Sequence, residues 1–137
     1  MEADGIRPVH SVEELYSENQ YVSLHIPATD ETRGSVGKRL IEMLPKNGVL
    51  INAARKEVID EAGLAEAMES RPDVRYVADV KPANGDELEA KYPERVLFTP
   101  KKMGAQTAEA NINAGLAAAN QVVAHLKDGW NRFQVNK

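Results

Sequence analysis

An α/β fold with a parallel sheet is what this sequence predicts, and three observations predict it. The first is Val49-Leu50-Ile51, a short apolar run that begins after Pro45 and Gly48 and ends in the small, turn-forming Asn52-Ala53-Ala54. Such a run suits a strand buried on both faces of a parallel sheet, because helices on either side leave it no solvent-facing positions. The second is alternation. Runs of this kind are separated by stretches with helical spacing, the pattern of parallel strands joined by right-handed crossovers. The third is that Arg55 and Asp79 each stand just beyond an apolar run. That is the carboxyl end of a strand, where open α/β sheets hold their ligands.

The elements follow in order. Residues 1–8 read as a loop. Ser11-Val12-Glu13-Glu14 is a capping-box pattern and predicts a short helix from Val12 to Ser17. Tyr21 to Leu24 is the first strand, closed by His25-Ile26-Pro27, since proline restricts the residue before it. Thr32 to Gly34 leads to a helix over Gly37 to Leu44, which Pro45 stops. After the Val49–Ile51 strand, Asp60 caps a helix whose apolar positions are Leu64, Ala67 and Met68. Val74 to Val80 is the next strand. Lys81 to Arg95 is a long polar connection with one helical turn from Glu87 to Tyr92, and Val96 to Thr99 is the last strand. Thr107 caps a long helix to Asp128, with Ile112, Leu116, Ala119, Val123 and Leu126 on one face. Gly129 stops it, and Trp130 to Lys137 reads as an extended tail.

The chain has 137 residues, enough for one domain, and a formal net charge of −4. That charge gives no electrostatic case for nucleic acid or for an anionic membrane as partner. Basic residues are scattered except at Lys101-Lys102. The sequence contains no cysteine, which excludes disulfides and thiolate metal sites and fits a cytoplasmic protein. No metal site is expected. No apolar run reaches membrane-spanning length, and the acidic Met-Glu-Ala-Asp-Gly start lacks the apolar core of a signal peptide.

On the residues alone, Arg55 reads either as a surface arginine of a βα loop or as a two-pronged holder of a carboxylate. Asp79 reads either as a loop or cap residue or as an acceptor for a ligand amide at the strand end. His25 reads as a loop histidine with a backbone partner. His10 and His125 have no supporting motif and are taken as surface residues.

Several stretches together resemble the D-isomer-specific 2-hydroxyacid dehydrogenases. Gly48 to Asp60, G-V-L-I-N-A-A-R-K-E-V-I-D, is similar to the family's last signature. Val22-Ser23-Leu24-His25-Ile26-Pro27-Ala28-Thr29, with Thr32 and Gly34, resembles its V-S-L-H-x-P-x-T-x-x-T-x-G run. Ala78-Asp79-Val80, Thr99-Pro100 and Glu109-Ala110 resemble its closing elements. K-E-V-I-D and T-P-K-K-M-G-A-Q-T are most similar to a bacterial subgroup of the D-3-phosphoglycerate dehydrogenases. The resemblance covers nearly the whole chain. It implies a partial Rossmann-like parallel sheet with flanking helices and a long C-terminal helix. It implies NAD as cofactor, a small 2-hydroxy acid as substrate and a homodimer in the complete protein. No G-x-G-x-x-G occurs. The resemblance therefore implies the second half of an NAD-binding domain plus the C-terminal helix, with the first βαβ unit and the substrate domain absent.

The resemblance also assigns residues. His25, Ile26 and Pro27 would line the adenine side of the cofactor site, Ala53, Ala54 and Arg55 would meet the cofactor from the central strand, and Asp79 would contact the nicotinamide amide. Arg55 would hold the substrate carboxylate. The family's base is a histidine after T-P, paired with a glutamate; here Lys101-Lys102 follows Thr99-Pro100, and the glutamate position falls on Asn84, with Asp86 and Glu87 close by. These two departures are chemically coherent. A carboxylate beside lysine raises a pKa already near 10.4, whereas a neutral amide and a second lysine do not. We take Lys102 as the base, counting back from Gly104-Ala105; counting forward from Thr99-Pro100 gives Lys101. Two functions are thus expected: an NAD-dependent oxidoreductase acting on the CH–OH of a D-2-hydroxy acid, of which this chain is a fragment inactive alone, or, in the alternative that Asn84 and the missing glycine loop favour, a non-catalytic NAD-binding or dimerisation module.

Overall fold

A computed structural model describes residues 5, 7–100 and 107–135, in two compact units that divide after Lys102. The first unit carries helices α1 (Val12–Glu18), α2 (Lys38–Glu42), α3 (Glu61–Ser70) and α4 (Gly85–Lys91). Its strands are β1 (Tyr21–Leu24), β2 (Val49–Asn52), β3 (Arg75–Ala78) and β4 (Val96–Phe98). The second carries α5 (Ala108–Asp128).

The strands form one sheet in the order β1-β2-β3-β4, every pair parallel. Register puts Val22, Leu50, Tyr76 and Val96 in one row and Leu24, Asn52, Ala78 and Phe98 in the next. These eight residues are buried together with Tyr16 of α1, Leu40 and Ile41 of α2, Leu64, Ala67 and Met68 of α3 and Leu88 of α4. The core is therefore the space between one sheet face and a layer of helices. Gly63 lets α3 approach closely, since a Cβ there would sit 2.8 Å from the Lys38 backbone nitrogen. Tyr76 and Phe98 meet edge-on at 5.8 Å, a favoured aromatic arrangement.

The opposite face presents Tyr21, Ser23, Val49, Ile51, Arg75, Val77 and Leu97, all half-buried or exposed. Burial of Val49–Ile51 on both faces is thus corrected: only Leu50 is buried, and its two neighbours alternate outward. Among the described residues the strand order runs without reversal, and each successive crossover lays its helix on the same face. A doubly wound sheet covers its second face only where the order turns back.

Element ends follow local chemistry. The Ser11 hydroxyl accepts from the Glu14 amide at 3.0 Å, and Thr107 does the same for Ala110 at 3.1 Å. Asp60 precedes α3 as its first non-helical residue but makes no side-chain cap bond. The predicted Gly37–Leu44 helix is shorter as observed, because Met43 and Leu44 donate three residues back, to Leu40 and Ile41, in a tighter turn ahead of Pro45. Gly129 closes α5 in the left-handed region at φ 65°. The tail is not extended through Phe133: Trp130 and Phe133 stack edge-on at 5.3 Å, and the His125 ring meets the Trp130 carbonyl at 3.1 Å. No described helix is long and apolar enough to cross a membrane.

Candidate functional site

The loops leaving β1 and β2 meet at the carboxyl edge of the sheet. They border an open cleft of about 580 Å³ lined by His25, Ile26, Pro27, Ala28, Ala53, Ala54 and Arg55. Both walls are held from behind. The Gly34 amide donates to the Glu57 carbonyl at 2.9 Å, Val36 to Val58 at 3.1 Å, and Asp60 back to Val36 at 2.9 Å. Gly34 adopts φ 60°, which costs a residue without Cβ least. The Thr32 hydroxyl donates to the Pro27 carbonyl at 2.5 Å and accepts from the Thr29 amide at 2.8 Å. The loop is shaped by its own side chains before any ligand arrives.

Arg55 stands exposed at the cleft, between the end of β2 and a 3-10 turn at Lys56–Val58. His25 is exposed, its Nε2 2.8 Å from the Ser23 hydroxyl rather than on a backbone partner. Asp79 follows β3 directly, and its amide donates to the Asn52 carbonyl at 3.2 Å. Arg55 and Asp79 thus stand at the same edge, beyond adjacent strands. Asp79 does not line the cleft. One of its carboxylate oxygens is buried without a hydrogen-bond partner, an acceptor lacking a donor. That is the feature a ligand carboxamide would complete, so the residues present fit a nicotinamide cofactor. The Thr99 hydroxyl donates to the Asp79 carbonyl at 2.9 Å and ties the end of β4 to this point. Lys101 and Lys102 lie outside the described residues.

Of the positions weighed as the family's glutamate, Asn84 and Asp86 are engaged elsewhere. Asn84 Nδ2 donates to the Glu61 carbonyl at 3.0 Å, and its backbone amide approaches the Glu61 carboxylate at 3.3 Å. Asp86 pairs with Lys81 at 2.5 Å, as does Glu89; those partners hold the Lys81 pKa above its ordinary value. Glu87 is exposed on α4. Among the described residues no three His, Asp or Glu side chains are grouped to hold a metal ion.

Sequence reading passed over Asn52 as a turn former. It is the one buried polar residue among those described, 3% exposed. Its Oδ1 accepts from the Ala54 amide at 3.0 Å, and its Nδ2 donates to the Arg55 carbonyl at 3.0 Å and meets the Tyr76 hydroxyl at 3.4 Å. The only sequence signal was an amide-bearing residue closing an apolar strand. Burial pushes the Tyr76 pKa up to about 12, so its hydroxyl stays neutral.

A parallel sheet with ligand-facing polar groups gathered at its carboxyl edge defines a Rossmann-like nucleotide-cofactor domain of the dehydrogenase type. Residues 1–101 match the family model of the D-isomer specific 2-hydroxyacid dehydrogenase, NAD binding domain. The D-3-phosphoglycerate dehydrogenase of Methanocaldococcus jannaschii is 32% identical over 129 residues, covering 92% of this chain and 24% of that protein. The Haemophilus influenzae enzyme of the same name is also 32% identical, covering 95% of this chain and 33% of that one. The crystal structure of NAD+-bound 3-phosphoglycerate dehydrogenase from Entamoeba histolytica superposes with a TM-score of 0.80 at 46% identity, over 94% of this chain and 42% of that one. The chain belongs to the D-isomer specific 2-hydroxyacid dehydrogenase family, through its NAD-binding domain. It spans 24% and 33% of the lengths of these two curated relatives.

Proposed function

We propose that this chain supplies the nicotinamide- and carboxylate-binding part of an NAD-dependent D-2-hydroxyacid dehydrogenase, with 3-phosphoglycerate as its substrate. The observation that carries the reading is the preformed cleft of His25–Ala28 and Ala53–Arg55 at the carboxyl edge, together with the unpartnered Asp79 carboxylate oxygen at the same edge. Identity to phosphoglycerate dehydrogenases over most of the chain supports the substrate.

NAD, when bound, supplies a hydride acceptor. Arg55 holds the substrate carboxylate through its planar guanidinium and, as the C2 hydroxyl becomes a carbonyl, favours the charge that develops there. Asp79 accepts from the carboxamide and sets the orientation of the nicotinamide ring. His25, Ile26 and Pro27 form the wall for the adenine side, and Ala53 and Ala54, with their small side chains, leave room beside the central strand. Lys102, or Lys101 in its place, takes the hydroxyl proton. By the same resemblance, the working protein is proposed to be a cytoplasmic homodimer, with neither nucleic acid nor membrane as partner.

The test is titration of the chain with NAD and with D-3-phosphoglycerate, read by NMR, and turnover followed as NADH formation. NAD should shift His25, Ala53 and Asp79, and D-3-phosphoglycerate should shift Arg55. R55K should weaken the carboxylate response by about tenfold or more, because one point charge replaces a two-pronged donor. Binding of NAD without turnover in any form of the protein would favour the non-catalytic module instead.

A further inference from the structure

We propose that Asn52, backed by Tyr76, is a positioning residue of this site: its buried side-chain amide folds residues 53–55 into the turn that presents Arg55. The inference rests on the reading of Arg55 as the carboxylate-holding group and adds what keeps that arginine in place.

The position itself calls for an explanation. Asn52 lies on the helix-facing side of the sheet, in register between Leu24 and Ala78, both buried and apolar. A polar side chain in such a place destabilises the fold unless its hydrogen bonds are met. Here they are met by the loop that carries Arg55. Oδ1 takes the amide of Ala54, two residues on, and Nδ2 reaches the carbonyl of Arg55, three residues on. One side chain therefore closes two backbone rings over three residues.

Tyr76 backs the amide, while the Ala54 N–H and the Arg55 carbonyl fix which way it points. The Tyr76 hydroxyl lies on the Nδ2 side at 3.4 Å and is locked by burial and by its edge contact with Phe98. Turning the amide over would set Nδ2 against the Ala54 N–H and Oδ1 against the Arg55 carbonyl, two repulsive contacts at once. Arg55 is gripped from its other side as well. Its carbonyl also accepts from Val58, the close of the 3-10 turn, at 3.3 Å. With its backbone held extended at φ −127° and ψ 147°, the exposed guanidinium stands at the cleft without any side-chain partner of its own being needed to steer it.

An aspartate at this position retains the acceptor for Ala54 but turns a second acceptor toward the Arg55 carbonyl, and an alanine removes both contacts. The experiment compares wild type, N52A and N52D by amide hydrogen exchange and by the Arg55 side-chain NMR signals, with and without D-3-phosphoglycerate. In N52A, exchange at Ala54 should rise by at least about tenfold more than at Leu50 and Tyr76, whose amides report only the change in global stability, because a local buried hydrogen bond is lost as well. In N52D the Arg55 and Val58 signals should change while the strands do not. The proposal is overturned if Ala54, Arg55 and Val58 are unaltered in these variants. It is equally overturned if Leu50 and Tyr76 accelerate by the same factor as Ala54, since Asn52 would then only support the core. Should N52A fail to fold, N52D decides by the same comparison. If D-3-phosphoglycerate leaves wild-type Arg55 unmoved, the carboxylate role fails and exchange alone decides the positioning role. If the ligand binds wild type and both variants equally, the positioning role is wrong and the carboxylate role stands.

Discussion

A lysine serves as a general base only when its pKa is brought down from about 10.4 toward neutrality, and its neighbours decide whether that happens. The position that matches the family's glutamate carries no carboxylate here. Asn84 is neutral and donates to Glu61, and Asp86 is paired with Lys81. On the proposed assignment, the adjacent positive charges of Lys101 and Lys102 would be what lowers the pKa of the working lysine. Methionine at the working lysine should lower turnover by about 10²–10⁴-fold with little change in substrate affinity, because proton transfer is lost only in the transition state. Methionine at the other lysine should cost far less and should move the pH–rate profile upward, since a charge that lowered the base's pKa is gone. Steady-state rates across pH for K101M and K102M check both statements, and two unaltered profiles would end the lysine assignment. The placement of Asp79 and Arg55 was legible because a polar residue that follows an apolar run, directly or after a short small-residue turn, falls at the strand's carboxyl end. The role of Asn52 was not, because whether a strand-end asparagine points into the core or into solvent depends on register with neighbouring strands, which no local pattern carries.

Between strands and helices, the sheet's amino edge is held by charge. Arg71 donates to the carbonyls of Glu42, Leu44 and Pro45 at 2.7–3.2 Å, where the chain leaves α2. Asp73 holds that arginine through two contacts at 2.8 and 2.9 Å and also accepts from the Asn47 amide at 2.8 Å. The Arg71 guanidinium, and then the Asn47 amide, keep the Asp73 carboxyl well below the usual carboxylate range. A carboxylate whose folded pKa is depressed stabilises the fold at every pH above its unfolded value, about 3.9, and loses that contribution as pH falls toward the folded value. D73N should therefore be less stable than wild type at neutral pH by roughly 1.5–3 kcal/mol. The gap should narrow steadily below about pH 4. Denaturant melts of the two proteins across that range check it, and a gap independent of pH would show that Asp73 contributes only through its shape. At this scale the sequence was most readable: Ser11, Thr107, Pro45 and Gly129 each mark an end through a local mechanism. The Lys56–Val58 turn and the start of α4 at Gly85 escaped notice. The first is held by bonds across to residues 34–36, the second by Glu61 of another helix, and neither bond is local.

Across the whole molecule, the first unit has a buried core that runs from Tyr16 to Phe98, whereas α5 of the second unit has no buried residue. Its apolar positions Ile112, Leu116, Val123 and Leu126 are 61%, 59%, 48% and 78% exposed. Helical spacing in the sequence showed that these residues share a face, but it could not show whether anything covers that face, just as it could not show that the sheet has one open side. The energetic consequence is direct. A helix stands mainly on the packing of its apolar face, and one of 21 residues without such packing is marginal in water. The end caps at Thr107 and Gly129 and the Trp130–Phe133 contact add only local support. In dilute solution the two units should therefore lose structure separately. The amides of β2 and β3 should exchange only through cooperative unfolding, whereas those of α5 should exchange at least about a hundredfold faster. Heating should give a gradual loss of helix signal ahead of a single sharp transition from the sheet. Equal protection of α5 and β2 at low concentration would contradict this and would mean that the helix face is covered within one chain. Protection of α5 that grows with protein concentration would instead locate its cover in a second molecule, and a sedimentation measurement over the same concentrations distinguishes the two.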